Sequence, residues 1–200
     1  MASLKRLRAL RPAHRAGRFF GALRPGPPPA PEWAWALSQL SPSEQRLLLK
    51  MRNPDRRHAV EVARRVQAQL AVSADGASAG DLDDGASDGS AESTDHAWII
   101  TAALLHDVGK VASGLRTYGR VVATLCGVFG GRDLAEIWQR GSGITRRVGM
   151  YLRYGDIGAE MLELAQSDPR VVAWSMEHHG APESWTVPRA AGELLVAADR

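Results

Sequence analysis

The run Thr101-Ala102-Ala103-Leu104-Leu105-His106-Asp107-Val108-Gly109-Lys110 decides how this chain is read. A mostly apolar helical segment leads into adjacent His and Asp, and then into Gly and Lys. An imidazole and a carboxylate cost free energy to bury unpaired, so such a run normally stays apolar up to its cap. Two metal-competent side chains at the buried end of a helix point to a cation. The local alternative is that Asp107 closes the last turn and Gly109 is the left-handed residue ending the helix. The rest of the chain decides between them, because it places more His and Asp at the ends of other apolar helices.

Two hundred residues are enough for one domain with a substantial core. An apolar share of 44% and a charged share of 24% are those of a globular protein, which excludes a wholly disordered chain. Cys126 is the single cysteine, so there is no disulfide framework and no cysteine-based zinc cluster. Any metal must then be held by nitrogen and oxygen. No window approaches the roughly 18 apolar residues of a membrane span. Lys or Arg recurs through Arg24, which breaks up the apolar core a secretory signal requires. A cytoplasmic location is the expectation.

The net charge of +3 conceals an asymmetry. Residues 1–31 carry seven bases and no acid, whereas residues 73–95 carry seven acids and no base. The two cancel, so the basic pI is no argument for nucleic-acid binding by the folded part. Residues 1–31 end in Pro25-Gly26-Pro27-Pro28-Pro29-Ala30-Pro31 and are expected to be a disordered tail with a polyproline II spacer. The basic stretch 1–24 could also form an amphipathic helix making weak contact with an anionic membrane surface. Residues 73–95 have almost no apolar content and are expected to be a disordered acidic loop.

The domain is expected over 32–200. Trp33 and Trp35 would pack as a lid. Ser41-Pro42-Ser43-Glu44 reads as a capping box opening a helix to Met51. Asn53 is expected to cap the next helix, in which His58, Val62 and Val66 fall at i, i+4 and i+8 on one stripe. Further helices are expected over 115–128, 134–138, 144–154 and 157–166, the last two separated at Gly155-Asp156. Ser167-Asp168-Pro169 opens a helix that ends at Glu177-His178-His179-Gly180, and Pro188 opens one that ends at Asp199-Arg200. No stretch alternates at period two, so the fold class is all-α, an irregular bundle of seven to nine helices.

His106-Asp107, His178-His179 and Asp199 therefore stand at helix ends, with His58 on an apolar face. Imidazole and carboxylate donors without thiolate suit Mn, Fe, Zn, Co or Mg. This ordered series resembles the HD-domain metal-dependent phosphohydrolase superfamily over about Pro54 to Arg200. The resemblance implies an all-α HD-type domain with a divalent metal on His58, His106, Asp107 and Asp199. It also implies that His178 and His179 serve a second metal where there is one, and that Lys110 contacts substrate phosphate. Many two-metal members carry a His where this chain has Tyr154, and a protonated phenol is a poor ligand near neutral pH. One cation is therefore the expectation, and the second site is in doubt.

The activity implied is metal-assisted hydrolysis of a nucleotide or other small phosphoester, with Lys110 and Asp107 catalytic and no specific nucleic-acid partner. The alternative is a degenerate HD module that binds metal or nucleotide for regulation. Asp199 depends either on docking by Leu194-Leu195-Val196-Ala197-Ala198 or on a native chain that continues past Arg200.

Overall fold

The computed structural model describes residues 26–78, 89–115, 137–138 and 140–200, with the backbone alone described for 74–78 and 89–95. The described residues are helices and turns, with no strand among them. The helices are α1 (Ala30–Ser38), α2 (Pro42–Lys50), α3 (Asn53–Ser78), α4 (Gly89–Leu105) and α5 (Lys110–Ser113). They continue as α6 (Gly143–Leu152), α7 (Tyr154–Leu164), α8 (Pro169–Glu177) and α9 (Arg189–Asp199), with a 3₁₀ turn at Pro182–Ser184. No described helix is long and apolar enough to cross a membrane.

Local sequence accounts for several of the starts. Ser41 and Glu44 make the reciprocal capping box, the Ser41 amide donating to Glu44 Oε2 at 2.9 Å. Asp168 Oδ1 accepts from the Arg170 amide at 2.8 Å and opens α8. Asn53 departs from expectation: it is already helical, and its side chain accepts from Arg56 Nη1 at 3.4 Å instead of capping.

The expected boundaries shift in three places. Helix α1 begins at Ala30, two residues inside the expected tail, because Pro31 suits a first helical turn. Helix α3 runs on to Ser78 and α4 begins at Gly89, so both ends of the expected acidic loop are helical. The break between α6 and α7 falls at Arg153, not at Gly155-Asp156. Gly155 lies within α7, where a Cβ would stand 2.9 Å from the Ser175 carbonyl oxygen. It serves close approach of α8. The expected basic helix in 1–24, the 115–128 helix, and residues 79–88 and 116–136 lie outside the described residues.

A main core joins α1–α4 and α7–α9, and a smaller cluster of Leu115 and Val148 holds α6. Leu48 of α2, Val62 and Val66 of α3, Leu104 and Leu105 of α4, Leu162 of α7, Val171 of α8 and Leu195 of α9 are all essentially excluded from water. Each such side chain contributes about 1.5–3 kcal/mol of burial. Trp33 and Trp35 pack against this core from α1, with the Arg56 and Arg64 guanidinia over their rings. Helix α4 lies against α3 and α8, and α9 lies against α3, so three apolar helices deliver their ends to one place.

Candidate metal centre

The His-Asp turn follows directly from the end of α4. Gly109 has φ −61° and ψ −18°, an ordinary right-handed conformation, so it is not a left-handed helix terminator. Glycine is required there for another reason: a Cβ would stand 1.8 Å from the Tyr154 carbonyl oxygen and 2.6 Å from the Gly158 nitrogen. The turn is pressed onto the first turn of α7. His106 and Asp107 are thereby buried to 4% and 3% exposure.

Hydrogen bonding fixes the state of His106. Its Nδ1 faces the Ala103 carbonyl oxygen at 2.9 Å and so carries a proton, which leaves the lone pair of the neutral ring on Nε2. That Nε2 is buried and has no hydrogen-bond partner. An orphaned buried polar atom costs about 1–3 kcal/mol. It lies 3.5 Å from Asp107 Oδ2 and 3.8 Å from Asp199 Oδ1. A lone pair facing two carboxylate oxygens is repelled by both, and a positive charge between them relieves the repulsion.

His58 completes the group. It occupies the buried stripe of α3 with Val62 and Val66, and its Nε2 lies 2.8 Å from Asp199 Oδ1. The His58 and His106 rings meet edge to face, with centroids 5.6 Å apart. One donor atom from each of His58, His106 and Asp199 falls within 4.8 Å of the others, close enough to hold a metal ion. The donors are two imidazoles and one carboxylate, a set that suits a divalent transition metal.

Asp107 stands beside this trio rather than in it. Its Oδ2 accepts from Lys110 Nζ one helical turn on. Burial alone would push the Asp107 carboxyl up. The Lys110 ammonium first, and then His106, His58 and His178, outweigh that and hold it well below the usual carboxylate range. Asp107 is therefore a buried anion, balanced by a lysine that is itself only 15% exposed.

His178 and His179 fall into a second cluster, centred on Tyr154. His178 Nδ1 faces the carbonyl oxygens of Trp174 at 3.1 Å and Ser175 at 2.9 Å, so Nδ1 holds the proton. Its Nε2 lies 3.2 Å from the Tyr154 hydroxyl, which also contacts His179 Nε2. Burial, then the neighbouring His179 and His106, push His178 down to about 3, so it is neutral at pH 7. His179 is lowered for the same first reason. The Tyr154 phenol is pushed up by burial and then by the Asp107 charge, which keeps it protonated. The Lys110 ammonium lies 4.8 Å from the centre of its ring, and His178 stacks edge-on against His106 at 5.4 Å. The two clusters thus share a wall.

Of the residues marked in the sequence, the structure gathers His58, His106 and Asp199, with Asp107 and Lys110 alongside. It withdraws His178 and His179 to the phenol. Tyr154 had looked like a mere replacement, and the structure makes it the hub of the second cluster. Arg116 and Arg120 lie outside the described residues. No family model matches the chain, and none of the curated proteins or solved structures compared with it does so either.

Proposed function

We propose that the chain is a metal-dependent phosphohydrolase of the HD type, acting on a nucleotide or another small phosphoester. The observation that carries this reading is the His106 Nε2 lone pair, buried, unpartnered and turned toward Asp199 and His58. Evolution tolerates such an atom where a ligand satisfies it. The ordered series of His58, His106-Asp107, Lys110 and Asp199 supplies the likeness to the family.

His58, His106 and Asp199 would hold the cation, a single Mn, Fe, Zn, Co or Mg ion, with Asp107 next to it. When bound, it supplies Lewis-acid polarisation of a phosphoryl oxygen and a water acidified toward ~7. His58 would bind through Nε2 once that nitrogen is free of a proton. Lys110 stands at the edge of the same site and offers its ammonium to phosphate charge, with Asp107 fixing its position.

The test is hydrolysis of a panel of phosphomonoesters and nucleotides with Mn²⁺, Co²⁺ or Mg²⁺, comparing the wild type with Asp199→Ala. Wild-type turnover should fall by more than about 100-fold in the variant, beyond the loss typical of an outer partner. A regulatory metal- or nucleotide-binding module is the second reading. Tyr154 favours it, because His178 and His179 already spend their Nε2 atoms on a phenol. A wild type that binds cation and nucleotide yet hydrolyses nothing on the panel would establish that second reading instead.

A further inference from the structure

Asp199 is the last residue of α9, in the turn whose carbonyls have no intrahelical partner. A carboxylate there is only as well placed as the turn that carries it. Arg65 of α3 reaches across to that turn, and its Nη1 donates to the Ala198 carbonyl oxygen at 3.0 Å. Its Nη2 is held by Glu61 Oε1, one turn back on α3. The guanidinium is thus fixed at both ends, by its own helix and by the residue next to Asp199. His58 and Arg65 are seven residues apart, two turns of helix, and therefore share one face of α3. The same face that supplies a donor to the centre, His58 Nε2 at 2.8 Å from Asp199 Oδ1, also supplies a brace behind that carboxylate.

We infer that Arg65 is a positioning residue for Asp199 and sets the affinity of the His58–His106–Asp199 centre without touching the cation. A positive end group at a helix C-terminus also matches the helix dipole, which favours the docked turn. The inference rests on the metal-centre reading above.

The sign of the effect separates this role from a simple charge effect. Removing a positive charge near a cation site strengthens cation binding by Coulomb's law. Removing a brace weakens it. Zn²⁺ and Mn²⁺ are titrated calorimetrically into the full chain after chelator stripping, for wild type, Arg65→Ala and Arg65→Lys, with Tm read with and without cation. The Arg65 side chain is 42% exposed and fills no core position, so all three stripped proteins should melt close together. Arg65→Ala should raise Kd about 10-fold or more and shrink the cation-induced rise in Tm. Arg65→Lys, which keeps one donor, should fall between. Unchanged or tighter binding in Arg65→Ala overturns the inference, as does Arg65→Lys binding as poorly as Arg65→Ala. A wild type that takes up neither cation overturns the centre itself, and the inference with it.

Discussion

The two histidine clusters of this molecule share a wall and differ in what faces their nitrogens. In the His58–His106–Asp199 group, His106 Nε2 lies 3.8 Å from a carboxylate oxygen and makes no hydrogen bond to it. In the Tyr154–His178–His179 group, a phenol stands between two imidazoles. Both groups are built from the ends of packed helices, and in both a backbone carbonyl pins the Nδ1 proton of a histidine. The difference lies in the third member. A carboxylate repels a lone pair and so leaves room for a cation, whereas a hydroxyl satisfies one. Histidine content alone therefore does not identify a metal site; the partner of the outward nitrogen does.

The largest expected effect breaks both clusters at once. Gly109→Ala puts a Cβ inside the van der Waals contact of the Tyr154 carbonyl and the Gly158 nitrogen, both backbone atoms that cannot rotate away. The His-Asp turn and α7 must separate. Destabilisation of about 3 kcal/mol or more is expected in urea titration, with both clusters disordered. A change below about 1 kcal/mol would mean that the seam between the clusters yields, and that their shared wall is not rigid.

His106→Gln acts on one cluster alone. It keeps a polar group of similar reach but loses the imidazole lone pair, so cation content measured on the purified protein should drop from about one equivalent to near none, since affinity follows ligand type. The helical circular dichroism should persist. Unchanged content would place the metal elsewhere.

How much of this could be read beforehand follows from what each signal depends on. The capping box at Ser41–Glu44, the cap at Asp168 and the His58 stripe were legible because they depend on neighbours within one or two turns. The convergence of His58, His106 and Asp199 was legible from their places at helix ends and on an apolar face. The glycines misled: Gly155 reads as a helix breaker, and Gly109 offered itself as a left-handed terminator. Both are there for contacts with Ser175 and Tyr154, residues 20 or more positions away. The division of histidines between the clusters was illegible for the same reason. Whether His178 faces a carboxylate or a phenol depends on how α7 meets α8, and no local pattern reports that.

Tyr154→Phe turns the second cluster toward the first. It deletes the hydroxyl shared by His178 Nε2 and His179 Nε2 and leaves the ring under Lys110. The fold should lose only about 1 kcal/mol, the worth of an ordinary hydrogen bond. Two imidazole nitrogens then converge on a vacated position, and titration with Zn²⁺ should show a second, weaker equivalent absent from the wild type. A single equivalent in both proteins would mean that the phenol is not what withholds His178 and His179 from metal.

The smallest effect is a slope in pH, and its sign follows from His178. Burial first, and then His179 and His106, lower this histidine from 6.5 to about 3. Below pH 6.5 the unfolded chain takes up a proton that the native protein refuses, so the unfolded state binds more protons and stability falls as the solution is acidified. The contribution is fully present above 6.5 and is lost progressively toward about 3. Asp107 acts in a different window. Its carboxyl is held below its ordinary 3.8, so the stability it adds is present above that value and lost only beneath it. Between 6.5 and 3.8 the slope thus belongs to the phenol cluster and not to the His-Asp turn. His178→Asn removes the titrating group while keeping a polar side chain near the Tyr154 hydroxyl. Urea midpoints of the chelator-treated variant should therefore decline less steeply than those of the wild type across that window, and the two curves should run parallel only below about 3. Equal slopes in the upper window would mean that His178 accepts its proton in the native state, which a histidine buried beside His179 and His106 should not do.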